Sequence, residues 1–503
     1  MKNRIFSPLL FSAVGACIGF YLLSGAHIAI VITIILLSLT ALSFFRVVNR
    51  QLKSFYCTVF TVGLVLGLFA AEAGRNVVRL GLSEEKITGI EGVLLEDPRL
   101  LVSGTTMASV SIRKAAGKNV SVSGSGDITF FFSKESDDAL FTKKLRECGR
   151  GTVIFAEGKI RSNESRSNER VISFSASSLH IVKPAPAIER MRTKIRLNLM
   201  ERFEDSSSES GASGKRRGFF RSEKPWGGLA LALLIGIRDN LDTELTSVYR
   251  GAGLSYILAL SGMHLAVITA LIAFLLKKPL GLKAASITGA AIISLYCILV
   301  GPMPSLIRSA IMYLLGVLTI LTALPKKSIS VLCLSFLIQI IIMPAAGNSL
   351  SFILSYTAML GILITSRHVS SLLSGIIPDF ILQPLSLSCG AFLATAGICS
   401  FSFGYIAPIG IIAGLAIIPL TTIFMIGSII WLLLDFFSVS FILNLPLTWL
   451  YRSMEIISSL ASKVPGIRAN AVLVIIISII MLITIAVFDY KRKSGQLNLK
   501  PFN

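Results

Sequence analysis

In this chain of 503 residues, the side chains with chemistry to offer stand inside apolar runs. His264 lies three residues after Ser261 and two after Gly262, within the uncharged stretch 253–276. Arg308 follows Pro304 and Ser305 at the head of another apolar run, and Arg250 and Ser255 lead into the first. An ionisable group at membrane depth is costly, so it faces a bundle interior, a partner or a water-filled path rather than lipid. A serine and a histidine three apart share a helix face, and the glycine between them permits close approach or local unwinding. Arginine is permanently charged and pairs with phosphate. The implied chemistry is hydrogen bonding and attraction of anions. No bond-breaking set accompanies these residues. His27, His180, His264 and His368 are scattered, no Gly-x-x-x-x-Gly-Lys-Ser/Thr sequence offers an ATP site, and no cysteine pair has metal-ligand spacing. No enzyme activity, catalytic residue, metal or cofactor is therefore expected. Two readings of the polar residues stay open: they line a conduit, or they brace a packed bundle with Arg308 snorkelling to the interface.

The elements that must position them are membrane spans. The chain is 53% hydrophobic and 15% charged, with a mean hydropathy of +0.76, too apolar for one soluble core. The fold class expected is a polytopic α-helical membrane protein of about eleven spans, at roughly 9–24, 27–45, 54–73, 253–276, 280–300, 306–324, 329–343, 350–365, 381–401, 406–436 and 471–488. The first important span, 253–276, reads as one continuous helix, and Pro419 is expected to break or tilt the run 406–436. Residues 227–237 are too short to cross and read as a re-entrant or interfacial helix, and 449–463 as an amphipathic one. Basic residues at Arg46, Arg50 and Lys53, then at Lys277–Lys278, Lys326–Lys327 and Arg367, fall in alternate loops, and Lys491, Arg492 and Lys493 stop the last span. That alternation puts the amino terminus in the cytoplasm and residues 75–224 outside.

The outside segment has a different texture. Runs at 87–95, 107–112, 128–132, 153–159 and 171–182 are rich in Val, Ile, Phe, Ser and Thr and separated by Gly, Asp and Asn. Five such strands suit a small all-β barrel or sandwich, an OB-like barrel being one option. Phe130 and Phe132, with Phe131 and Phe155, are candidates for stacking bases, although aromatics in a small barrel more often form its core. Residues 188–203 read as a charged helix with Met191, Ile195, Leu197 and Met200 near one face. Residues 205–214 are too polar to bury a core, and Lys215, Arg216 and Arg217, with Phe219, Phe220 and Arg221, would meet lipid headgroups or a nucleic-acid backbone, or close a solvated linker. Cys148 stands alone here and so closes no internal disulfide; the other cysteines lie in apolar runs as small hydrophobes.

Arg250-Gly251-Ala252-Gly253-Leu254-Ser255 followed by Leu258-Ala259-Leu260-Ser261-Gly262-Met263-His264 resembles the signature of the ComEC-type competence channel family. Leu233-Leu234-Ile235-Gly236, Leu241-Asp242-Thr243-Glu244-Leu245, the stretch Pro304 to Met312 and Leu350 to Tyr356 continue the likeness in order. It departs at Tyr256, where the family usually has histidine, at Gly414 in place of asparagine, and at Ala396-Gly397 where proline is common. The resemblance implies a channel for inward passage of single-stranded DNA across the bacterial cytoplasmic membrane during natural transformation. It also implies as partners membrane lipid, a DNA receptor and a cytoplasmic DNA-translocating ATPase. Many members carry a carboxy-terminal metallo-β-lactamase-like domain, which residues 1–503 lack, so a separate nuclease is expected. The alternatives are a transporter of a small or lipid-like anionic solute, or a non-conducting scaffold. The expected organisation is a three-span region at 1–74, an extracytoplasmic β domain at 75–185, a helix and basic linker at 186–226, the channel domain at 227–494 and a tail at 495–503.

Overall fold

The computed structural model describes residues 8–24, 50–76, 78–100, 105–117, 120–132, 145, 148–164, 170–203, 224–238, 241–323, 328–468, 470, 472–478, 480, 481 and 484. The expected span at 27–45, the cluster Lys215, Arg216 and Arg217 with its flanking linker, Lys326–Lys327 and Lys491–Lys493 lie outside the described residues. The chain divides into two compact units. One is Met1–Arg75 with Ala232–Gly236 and Glu244–Asn503, and the other is Asn76–Leu231 with Ile237–Thr243.

In the first unit, α1 (Pro8–Ser24) and α2 (Arg50–Ala73) pack with their backbones touching. A methyl group added at Gly15 or Gly19 would meet the Phe60 or Leu64 carbonyl, and one at Gly63 or Gly67 the Ser12 or Ala16 carbonyl. Glycines four apart on both helices make this approach possible, and lipid supplies no other drive than close packing. The opposite face of α2 exposes Val62, Val65 and Phe69 at helical spacing.

The second unit is a β-barrel. Its strands are β1 (Gly89–Leu94), β2 (Arg99–Leu100), β3 (Thr106–Ala116), β4 (Ser121–Ser123), β5 (Asp127–Phe132), β6 (Val153–Glu164) and β7 (Arg170–Lys183). Hydrogen bonding runs β1–β6–β7–β5–β3, and β1 also pairs with β3, which closes the ring. Only the β5–β7 pairing in that ring is parallel. This is a five-stranded Greek-key barrel of the OB-like kind, with β2 and β4 as short additions to β3. A bulge falls between Glu91 and Gly92, where a Cβ would strike Val110 and the Ser111 carbonyl. Strand alternation sends Ile128, Phe130 and Phe132 inward, joined in the core by Phe174, Leu94 and Ile154. The Phe130 and Phe174 rings stand 4.8 Å apart between centroids. Phe130 and Phe132 are therefore core residues, 0% and 2% exposed, and do not face a partner; Phe131 and Phe155 are the partly exposed ones.

Helix α3 (Ala187–Phe203) corrects the expected face. Arg192, Thr193, Met200 and Phe203 point inward, while Ile188, Met191 and Ile195 are exposed. An ion cluster sets this orientation: Arg192 donates to Asp97 at 2.6 Å and to Glu189 at 2.7 Å, and Arg196 reaches Asp97 at 3.2 Å. A buried guanidinium must be paired, so the charge overrides the apolar periodicity.

The chain continues through α4 (Gly227–Ile235), α5 (Thr243–Gly251) and α6 (Ser255–Leu258) into α7 (Gly262–Val300). The stretch 253–276 is not one helix: Ala259, Leu260 and Ser261 are non-helical, and α7 starts at Gly262. Nor is α7 straight. Gly281 has φ 76° and ψ 169° two residues after Pro279, and a Cβ on Gly289 would meet Ile272 at 3.6 Å. Residues 17 apart touch only if the two legs fold back, so α7 is a helical hairpin turning at Gly281, as the paired runs 253–276 and 280–300 anticipate. Beyond Gly301 come α8 (Pro304–Leu321), α9 (Ser328–Ile342), α10 (Leu350–Leu373), α11 (Asp379–Phe403), α12 (Ile409–Phe436) and α13 (Asn444–Ser462). Pro419 does not divide α12, which runs on to Phe436; in the turn after it Thr421 and Thr422 donate to the Ile417 and Ile418 carbonyls at 2.8 and 2.9 Å. Helix α13 buries Leu447, Tyr451, Met454 and Ser458, and Thr421 contacts Met454, so its inner face packs on α12.

Among the described residues six helices are long and apolar enough to cross a membrane: Tyr56–Ala73, Gly262–Val300, Pro304–Leu321, Leu350–Ser371, Asp379–Phe403 and Ile409–Phe436. Pro8–Tyr21 and Ser328–Ile342 are shorter apolar helices. Their outer faces expose large apolar side chains such as Phe274, Leu295, Ile412, Leu433 and Phe436, which water would not tolerate in such number and lipid requires. The chain is a multi-pass membrane protein.

Candidate functional site

Two helix starts meet in the membrane unit. At the first, Ser261 has extended backbone, φ −129° and ψ 175°, and acts as the N-cap of α7. His264 stands at the third helical position and its Nδ1 accepts the Ser261 N–H at 3.0 Å, with Ser261 Oγ 3.1 Å from the same nitrogen. This is a capping box with histidine in the place usually held by Glu or Gln. The Ser261–His264 pair is thus a cap rather than one helix face, and His264 is fully buried.

At the second, Gly301 ends α7 with φ 103°, and Pro304 opens α8 at a position where its missing N–H costs nothing. Arg308 follows one turn later and is 7% exposed. Its guanidinium lies over the Tyr356 ring of α10, 5.7 Å from the centroid, and its Nη atoms reach Ser309 Oγ at 3.5 Å and Met312 Sδ at 3.8 Å. Among the described residues no carboxylate pairs with it, and its Nε is buried without a hydrogen bond. The two starts touch: a Cβ on Gly262 would stand 2.8 Å from Ser309 Oγ and 3.3 Å from Arg308 Nη2. Glycine leaves room for the guanidinium against the first turn of α7; a methyl there would require Ser309 Oγ and Arg308 Nη2 to give way.

A polar chain continues from this point through the bundle. Tyr356 donates to Gln339 Oε1 on α9 at 2.8 Å, and Gln339 Nε2 donates to the Pro304 carbonyl at 2.8 Å, closing a loop through α8, α9 and α10. Ser309 donates to the Ser305 carbonyl at 2.9 Å, and Ser305 Oγ stands 3.2 Å from Ser351 Oγ on α10. The carboxy-terminal end of α4 also arrives here, with Tyr296 donating to the Leu234 carbonyl at 2.6 Å and Gly236 too close to Leu260 and Met303 for a Cβ.

The structure therefore gathers Ser261, Gly262, His264, Pro304, Ser305 and Arg308. It leaves Arg250 and Ser255 exposed on α5 and α6, where the Arg250 carbonyl takes the Tyr405 hydroxyl at 3.1 Å. Sequence reasoning missed Gln339 and Tyr356. Gln339 carried a signal, since it is the one side-chain amide in a run at 329–343 whose other polar residues are Ser330 and Ser335. Tyr356 stood at the end of a quoted motif, but nothing in its neighbours pointed to an arginine on another helix. Among the described residues no group of three or more His, Cys, Asp or Glu is arranged to hold a metal.

Comparison with known proteins adds the following. The model of the family described as "Competence protein" matches residues 233–493. An uncharacterized protein of Aquifex aeolicus (strain VF5) is 26% identical over 336 residues, covering 66% of this chain and 73% of that protein. The ComE operon protein 3 of Bacillus subtilis (strain 168) is 31% identical over 153 residues, which is 29% of this chain and 19% of that one.

Proposed function

Because the chain belongs to the Competence protein family, we propose that it is a conduit through which single-stranded DNA passes inward across the bacterial cytoplasmic membrane during natural transformation. One observation carries the reading: the matched residues 233–493 contain the whole polar chain from Ser261 to Tyr356, with a buried, carboxylate-free arginine at the junction of two helix starts. Such a junction favours a polyanion over a neutral or cationic cargo. In this reading the amino terminus is cytoplasmic, about eleven spans cross the membrane and residues 75–224 lie outside. The barrel contacts DNA weakly through charge, with affinity that falls as salt rises. A DNA receptor outside and a translocating ATPase inside complete the pathway.

The test is uptake. Deleting the gene should abolish entry of labelled DNA into the cytoplasm while surface binding persists. Undiminished entry would sink the conduit reading and favour a solute transporter or a scaffold.

A further inference from the structure

We infer that the junction of α7 and α8 is a seat for a phosphate-type oxyanion; the inference deepens the conduit reading and rests on it for the origin of the ligand. Like charges are placed together at this junction. The first turn of a helix leaves N–H groups without intrahelical partners and carries about half a positive charge. In α7 the His264 and Leu265 amides turn back on the Ser261 carbonyl and His264 caps the Ser261 amide, which leaves Gly262 and Met263 as the open donors. In α8 Pro304 has no N–H and the Ile307 amide bonds the Met303 carbonyl, which leaves Ser305 and Leu306. The Arg308 guanidinium, on a residue only 7% exposed, lies against the first of these positive ends, with Nη2 near Gly262 and Nε without a hydrogen bond.

A cation packed against a positive helix end is repelled unless something negative joins them. The Tyr356 ring offers a weak negative face and the Ser309 and Met312 contacts are long, so none of them neutralises the cation. An oxyanion would answer this charge, taking bidentate contact from the guanidinium beside the open amides of Gly262 and Met263. The donor set has no base-reading group and no aromatic sandwich. It fits the charge and oxygens common to a DNA phosphodiester and to free inorganic phosphate.

The experiment uses the full chain, purified in an uncharged detergent, and follows its thermal unfolding midpoint during titration with inorganic phosphate or a thymidine oligonucleotide, against chloride at matched ionic strength. Both ligands should raise the midpoint saturably. The concentration needed should rise at least tenfold in Arg308→Gln, while the phosphate titration should be unchanged in the control Lys114→Gln, whose side chain pairs with Glu91 on the barrel. Gly262→Ala keeps the charge but places a methyl against Ser309 and Arg308, so it should weaken both ligands as well; it serves if Arg308→Gln fails to fold. Equal half-saturation in wild type and both variants would overturn the seat. Stabilisation by phosphate alone upholds the seat and assigns it to free phosphate. Parallel uptake assays separate this inference from the conduit reading. Lost uptake with phosphate stabilisation intact in Arg308→Gln overturns the seat and leaves the conduit, whereas lost stabilisation with normal uptake upholds the seat and removes it from the DNA path.

Discussion

Replacing Gln339 by leucine should loosen the meeting of α8, α9 and α10 without touching Arg308. Gln339 is fully buried and makes two interhelical bonds, to the Pro304 carbonyl and from the Tyr356 hydroxyl, each 2.8 Å long. Leucine keeps the helix propensity and much of the volume, so the loss is confined to the polar pairings. A buried group left unpaired costs about 1–3 kcal/mol in a soluble protein. Within bilayers an interhelical bond is worth about 0.6 kcal/mol on average and about 1.7 at most, because the loosened chain also finds partners. Two bonds therefore set the destabilisation at about 1 kcal/mol, with a ceiling near 3. Tyr356→Phe removes only the hydroxyl, whose other neighbour, Ser335 Oγ at 3.5 Å, is a poor substitute. Equilibrium unfolding in mixed micelles with increasing sodium dodecyl sulfate would measure wild type, both single variants and the double variant. The coupling energy should fall at about 0.6–1.7 kcal/mol. Losses that simply add, within about 0.3 kcal/mol, would refute the bond as an energetic link between α9 and α10.

Other outcomes follow from the same geometry. His264→Gln retains an acceptor at the third helical position and should keep stability and uptake, whereas His264→Leu should lose about 1 kcal/mol by the same unfolding assay; equal loss in both would point away from capping. Gly63→Val drives a branched side chain into the Ser12 carbonyl and should cost about 1–3 kcal/mol, visible as reduced membrane abundance of the full chain; normal abundance and stability would show that α1 and α2 can separate freely. For topology, Cys148 is too buried to report, at 3% exposure, so a cysteine at exposed Ser121 in a Cys57→Ser background is the probe. It should react with a membrane-impermeant maleimide in intact cells; protection until lysis would place the barrel in the cytoplasm.

The sequence by itself determined the class of molecule and the residues worth watching. Apolar run length is set by bilayer thickness and strand alternation by the pleat, so spans and the five principal strands could be read before any contact was known. The capping role of His264 was within reach too, since Ser-x-x-His is local, but histidine is an unusual acceptor at the third helical position and the uncharged run around it reads as continuous helix. Glycines four apart in α1 and α2 stand in the sequence as well, a spacing that permits close packing, though which helices they join was settled by the fold.

What only tertiary structure decided depends on partners distant in the chain. Periodicity along 188–203 gave an apolar face, yet Asp97, far upstream, pairs with Arg192 and turns the opposite face inward, because leaving that guanidinium unpaired would cost more than exposing Ile188, Met191 and Ile195. Alternation along β5 placed Phe130 and Phe132 on one side, but barrel closure through β1 and β3 decided that this side was the core. Likewise Arg308 announced itself as costly, while its setting came from Gly262 on α7 and from Tyr356 on α10, itself held by Gln339 on α9, contacts that no local pattern encodes. Local sequence fixes which groups need partners; the fold alone chooses them, because burial and charge are properties of what the whole chain brings together.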